Sequence, residues 1–166
     1  MKVLEGYKSF NYDFTNNYGF KFEEGKQYHM DGDIVYGPIG NGFHFSTFME
    51  DTIRYSKDTD LAHNIQIAKI SASNIIIAGS TQSDEYFDYN NNYVTLDIQI
   101  LKFLTREEII DIALNLPIYR MKRFIQEFYL SEHELKNFYG INKKIDNAIN
   151  YYQKDIKDTY SRIRKK

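Results

Sequence analysis

Four histidines, with the carboxylates and hydroxyls near them, are where chemistry must be sought in this chain, because it contains no cysteine. His29, Asp31 and Asp33 alternate, and alternate residues of an extended strand share one face, as a histidine-and-carboxylate metal site requires. The same stretch has a simpler reading. Asp31-Gly32 is a tight-turn signal, since such turns need positive φ and glycine supplies it, and no second imidazole lies near in sequence. No metal site is assigned. His44 stands between Phe43 and Phe45. If those two rings face a core, the imidazole faces the other side, toward a polar cleft or toward water, and it is kept as a candidate ligand-binding residue. His63 and His133 are isolated and read as surface residues. No Ser/His/Asp arrangement, phosphate loop or dinucleotide fingerprint is present, and no catalytic residue is assigned.

The elements that must position His44 divide the chain near Leu104. Before it, short apolar runs are broken by turn formers. Tyr7 to Phe10, Gly19 to Phe22 and Lys26 to Met30 read as extended segments, with Ile34 to Tyr36 as the return strand of a hairpin at Asp31-Gly32. Gly37-Pro38 and Gly40-Asn41-Gly42 punctuate the loop into a strand at Phe43 to Ser46. Ile65 to Ile70, Asn74 to Ala78 and Tyr93 to Phe103 complete about seven strands. In the last of these, Val94, Leu96, Ile98 and Ile100 alternate with Thr95, Asp97 and Gln99, the pattern of a half-buried antiparallel strand.

After Leu104 the pattern is helical. Thr47 with Glu50, Thr105 with Glu108 and Ser131 with Glu134 each have capping-box spacing. The first is expected to open a short helix to about Tyr55, and the second a helix over 106–115 with Ile109, Ile112, Ala113 and Leu116 on one face. Pro117 restarts a helix to about Leu130, and a short one over 131–138 stops at Gly140. The final helix, from Asn142 to about Arg164, carries Ile145, Ile149, Tyr152, Ile156, Tyr160 and Ile163 at spacings of 4, 3, 4, 4 and 3. That narrow apolar seam packs either on its own chain or, as a dimer contact, on a second copy. The fold class expected is α+β: a small, twisted, mostly antiparallel sheet over 1–104, and a helical segment over 105–166 packed on it or extending from it.

Composition narrows the function. At 166 residues one domain is the default, and 15 Tyr and 12 Phe supply large side chains in the absence of tryptophan. The abundance of Ile, Asn, Lys and Tyr is consistent with A/T-rich codons. The absence of cysteine excludes disulfides and thiolate metal sites and fits a reducing compartment. The start, Met-Lys-Val-Leu-Glu-Gly, has no apolar stretch before its first acid, and the longest aliphatic run, Ile75 to Ala78, is far below the ~20 residues that span a bilayer. A cytoplasmic protein without a membrane segment is expected. Residues 1–105 carry 8 Lys and Arg against 14 Asp and Glu, a charge of −6, whereas residues 141–166 carry 8 against 3, a charge of +5. An acidic body argues against general nucleic-acid binding.

Tyr7-Lys8-x-Phe10, Gly19-Phe20-x-Phe22-x-x-Gly25-Lys26-x-Tyr28, Asp31-Gly32 and Gly42-Phe43-His44-Phe45 together resemble a domain of bacteria and their phages whose hallmark is a GFHFC-type block and whose function is unknown. The resemblance covers about residues 5–113 and departs at the cysteines: Ser46 stands where the block ends in Cys, and no Cys precedes Gly19 or Gly42. Cysteine chemistry in relatives is therefore not implied here. A looser similarity is to ADP-ribosyltransferases, in which a basic residue on the first strand and a Ser-Thr pair help bind NAD. That resemblance puts Lys8 where Arg is expected and Ser9 where Gly is expected, with Ser46 and Thr47 matching in kind. It implies Tyr7, Lys8, Ser46 and Thr47 as ligand-binding candidates and NAD as cofactor. Lysine lacks the guanidinium fork, no convincing glutamate lies on the later strand, and Thr47 is equally a helix cap. The function expected is therefore that of a non-catalytic, phage- or mobile-element-type protein acting by binding another macromolecule, with a protein as the expected partner. The alternatives are an NAD-dependent ADP-ribosyltransferase and a structural homo-oligomer.

Overall fold

The computed structural model describes residues 3–16, 18–35, 40–52, 65–78 and 92–155, and divides into two compact units whose chain boundary is Leu104–Thr105. Among the described residues, the first unit holds five strands: β1 (Val3–Phe10), β2 (Gln27–His29), β3 (Phe43–Ser46), β4 (Gln66–Ala78) and β5 (Asn92–Phe103). Their order is β2-β5-β3-β1-β4, and β4 also pairs with β5. Four strands therefore close on themselves as a small antiparallel barrel, and β2 is added on β5 beside β3.

Closure follows from the length of β4. Its 13 residues pair with all of β1 on one edge and with β5 on the other, and the register with β5 shifts between Lys69 and Ile70 and again between Ser73 and Ile76. Bulges increase bend and twist, and Asn74 takes the left-handed backbone (φ 65) at the second shift. What the sequence presents as two strands, over 65–70 and 74–78, is thus one bent strand. The core comprises Phe10, Phe22, Phe43, Phe45, Ala68, Ile70, Ala72, Ile98 and Ile100, with Leu4 packed against it. On β1 that face runs Leu4, Gly6, Lys8, Phe10. Gly6 is required there: a Cβ would lie 2.6 Å from the Ser46 carbonyl oxygen and 2.8 Å from the Phe45 ring. The β1–β3 closure rests on one register pair, Tyr7 with Ser46.

Other sequence expectations change. Lys21 makes only an isolated bridge with Thr15, so no strand forms over 19–22. Gly32 has the positive φ of a turn (+94), but β2 pairs with β5 rather than with a return strand over 34–36. Val35 instead bridges Asn41, and Tyr36 lies outside the described residues. Thr47 does not cap the turn that follows it: a 3-10 turn forms over Met49–Asp51, with Phe48 at its cap position and no side-chain cap, and residues 53–55 of the expected helix lie outside the described residues.

The second unit comprises α1 (Arg106–Leu114), α2 (Ile118–Glu127), α3 (Glu132–Leu135) and α4 (Lys143–Ala148), followed by a wide π turn at Ile149–Gln153. Thr105 caps α1 by accepting from the Glu108 amide. Pro117 stands just before α2, the Ser131–Glu134 box is complete in both directions, and Gly140 ends the turn after α3 with φ +84. The Arg106 guanidinium clasps Glu134, with Nε–Oε1 at 2.6 Å and Nη2–Oε2 at 2.9 Å, and holds its carboxyl below the usual range against the opposing effect of burial.

The first part of the last helix docks within this unit. Ile145, Ala148 and Ile149 are buried, and α4 and the π turn pack on α2. Tyr152 is half-buried; Ile156, Tyr160 and Ile163 lie outside the described residues. Gln153, a polar residue outside the apolar seam, is buried. Its Oε1 accepts from the Leu130 amide (3.1 Å), and its Nε2 donates to the carbonyls of Ile125 (2.7 Å) and Phe128 (2.8 Å). It thereby satisfies groups that the end of α2 would leave unpaired.

Candidate functional site

Of the five candidate residues, four converge at the β1–β3 closure, but on two faces. Lys8 points to the barrel interior beside Phe10, its Nζ 5.6 Å from the ring centroid, and donates to the His44 carbonyl at 3.0 Å. Lys8 as a whole is half-buried, yet its ammonium is withdrawn from water, and this desolvation lowers its pKa to about 8. His44 lies on the opposite face from Phe43 and Phe45, as the alternation implies. Burial, then the nearby Lys8 charge, lowers its pKa to about 4, with a backbone hydrogen bond at Gly42 opposing. His44 is thus neutral at physiological pH.

Tyr7 and Ser46 share the outer face. Ser46 is fully buried, and its Oγ accepts from the Phe48 amide at 3.1 Å. Burial, then Glu50 and Glu5, raise the Tyr7 phenol. Glu50, Asp51 and Thr52 are buried over this face. Ser9 Oγ donates to the Thr52 carbonyl (2.6 Å), and Thr52 Oγ1 donates to the Met49 carbonyl (2.8 Å). These bonds fasten the 3-10 turn onto β1 and β3. Thr47, half-buried just before the turn, is not its cap.

These shifts make a prediction. The unfolded chain takes up a proton on His44 near pH 6.5 and the folded chain only near pH 4. Stability is therefore lost as pH falls through that window, by at most about 3 kcal/mol and by less to the extent that solvent screens the site. Lys8 acts at the other end. Between about pH 8 and 10.5 the folded state has released a proton that the unfolded state still holds, so stability rises with pH there. Denaturant titrations across pH are expected to show His44→Gln flattening the acid limb and Lys8→Met flattening the alkaline one. Limbs unchanged by both substitutions would contradict the burial of these groups.

His29 and Asp31, whose alternation is read in sequence as a turn rather than a metal site, belong to a different arrangement. His29 Nδ1 lies 2.7 Å from Asp97 Oδ1, its Nε2 lies 3.3 Å from Asp31 Oδ1, and Asn74 Nδ2 donates to Asp97 Oδ2 at 2.9 Å. The bond to Asp97 raises the His29 pKa, and the bond from Asn74 lowers that of Asp97. Asp33 is not part of the arrangement through any described side-chain contact. Among the described residues, no group of three or more His, Cys, Asp or Glu could hold a metal ion. The exposed His29–Asp97 contact pins β2 to β5.

The sequence reading missed the loop after β1. Tyr12, Tyr18 and Phe20 are 56%, 78% and 53% exposed, yet the loop that carries them is dense with hydrogen bonds. Asn11 donates through its amide to Thr15 O and through Nδ2 to Thr15 Oγ1 and Asn16 O. Asn16 Oδ1 accepts from the Tyr18 and Phe20 amides, and Asp13 Oδ1 accepts from the amide and hydroxyl of Thr15. Phe20 also rests against Phe22 (5.0 Å between centroids) and Tyr28 (5.7 Å). Aromatics interleaved with Asn and Asp over 11–20 were the available signal. Among the described residues, no helix is long and apolar enough to cross a membrane.

No curated protein and no solved structure matches this chain. A family model described as a domain of unknown function (DUF7666) matches residues 4–111, which takes in the barrel but for Val3, β2, the aromatic loop and most of α1, and the chain belongs to that family.

Proposed function

We propose that this protein acts by binding a protein partner rather than by catalysis, and that the loop over 11–22 with the adjoining edge at β2 forms the contact surface. The observation that carries this reading is the exposure of Tyr12, Tyr18 and Phe20 on a loop whose backbone is already bonded to itself. Large aromatic side chains on a fixed backbone contribute contact area at little ordering cost. The acidic balance of residues 1–105 favours a basic partner, including one that itself binds nucleic acid in a phage or mobile-element setting, and favours faster association at low salt. The homo-oligomer alternative needs Ile145 and Ile149, which are already buried in their own unit.

The transferase alternative requires Lys8 and Ser46 to address one ligand. They lie on opposite faces of the barrel wall, and Lys8 is bonded to the His44 carbonyl. Thermal melting with and without NAD separates the two readings. Saturation at 100 times a dissociation constant stabilises a protein by roughly 2.7 kcal/mol, a shift easily read. No shift with NAD is expected. A clear rise that Lys8→Ala abolishes would establish the transferase in its place.

A further inference from the structure

Among the described residues, β2 ends the strand order and pairs only with β5. The ladder extends on either side of it: the Gly25 amide donates to Ile100 O, the Ile100 amide to Lys26 O, and the Met30 amide to Leu96 O. In an antiparallel pair, alternate residues turn their amide and carbonyl toward the partner and the residues between turn them away. The Lys26 carbonyl, Tyr28 and the Met30 amide are directed at β5, so Gln27 and His29 present their amides and carbonyls at the open edge, and both side chains are exposed. Such an edge is a template for another strand.

The surroundings of the edge specify what strand it would take. On one side Tyr28 carries the partly exposed ring of Phe20. On the other side are Asp31, whose side chain is fully exposed, and Asp97. Residues 23–33 hold Glu23, Glu24, Asp31 and Asp33 against Lys26 alone, a charge of −3. A second copy of this chain would bring those carboxylates against their like, which disfavours edge-to-edge pairing with itself.

We propose that β2 accepts an extended basic segment of the partner as an added antiparallel strand, its arginines or lysines beside Asp31 and Asp97 and its alternate apolar side chains over Phe20. This rests on the binding reading above and goes beyond it in naming main-chain pairing as the mode of attachment.

The probe is a short synthetic peptide alternating arginine and valine, its glutamate-for-arginine counterpart, and a copy N-methylated on the backbone. The variant is Gln27→Pro, which removes an amide directed at the open edge and no bond to β5, a position where strands tolerate proline. Binding is followed by amide shifts of the labelled protein and by fluorescence anisotropy, with melting curves confirming that the variant is folded. The arginine peptide is expected to shift the Gln27 and His29 amides first. Its affinity should fall about tenfold or more on N-methylation and in Gln27→Pro, and the glutamate peptide should not bind. Should Gln27→Pro fail to fold, the N-methylated peptide decides alone. Undiminished binding of the N-methylated peptide would overturn strand addition while leaving surface binding through the aromatic loop intact. Absence of any shift at Gln27 and His29 with millimolar arginine peptide would also overturn it. A wild-type dimer that Gln27→Pro dissolves would assign the edge to a second copy instead.

Discussion

Gly6→Ala is expected to destabilise the first unit by about 3 kcal/mol or more, a large cost for removing no contact. Overpacking a fitted interior usually costs roughly 1–3 kcal/mol, but side chains ordinarily relieve it by moving. Here the new methyl would meet the Ser46 backbone oxygen at 2.6 Å as well as the Phe45 ring at 2.8 Å. A main-chain oxygen at the β1–β3 closure can withdraw only by opening that seam, whose register pair is Tyr7 with Ser46. Urea titration beside a Gly25→Ala variant measures the effect, since a Cβ at Gly25 meets nothing within 4 Å and the cost there is backbone strain at φ +81. A loss below about 1 kcal/mol at Gly6 would mean that the barrel is not closed at that seam.

Ile149→Asp is expected to cost about 4 kcal/mol or more, because it removes a buried side chain and puts an unpaired carboxylate in its place. Ile149 is 2% exposed and belongs to the turn that packs on α2. The test is chemical denaturation combined with sedimentation. The wild type should run as a monomer, and the variant should lose stability at unchanged molar mass. A wild-type dimer that the substitution dissolves into folded monomers would instead place Ile149 at an interface between chains.

Local chemistry was legible in the sequence where a single residue type decides the backbone. Thr105, Ser131 and Pro117 stand at the helix boundaries they mark, and the alternation along residues 93–103 gave the right strand, whereas the helix expected over 131–138 ends at Leu135, short of the turn that Gly140 closes. It failed where the outcome depends on residues distant in sequence. Whether Asp31-Gly32 joins two paired strands cannot be decided locally, because β2 finds its partner at Asp97 to Gln99. Closure of the barrel depends on β4 serving two edges, and the bulge near Asn74 makes one strand read as two. Thr47 shows the same limit in miniature: its spacing to Glu50 is that of a capping box, but Phe48 takes the cap position and the turn is held by Ser9 and Ser46. For the candidate site, the alternation of Phe43, His44 and Phe45 gave the two faces correctly. The same rule applied to Tyr7 and Lys8 would have separated Lys8 from Ser46. Gln153 and the exposed loop aromatics invert the usual preferences of their residue types, and inversions of that kind are where polarity-based reading is weakest.

The most direct measurement is co-purification of a tagged copy from its native host, beside a Tyr18→Ala, Phe20→Ala variant of equal melting temperature, at low and moderate salt. A stoichiometric basic partner that is retained by the wild type, released as salt rises and lost from the variant is the expected result. A partner held equally by both proteins and indifferent to salt, or a target carrying an ADP-ribose mass increment, would contradict binding through the acidic, aromatic face.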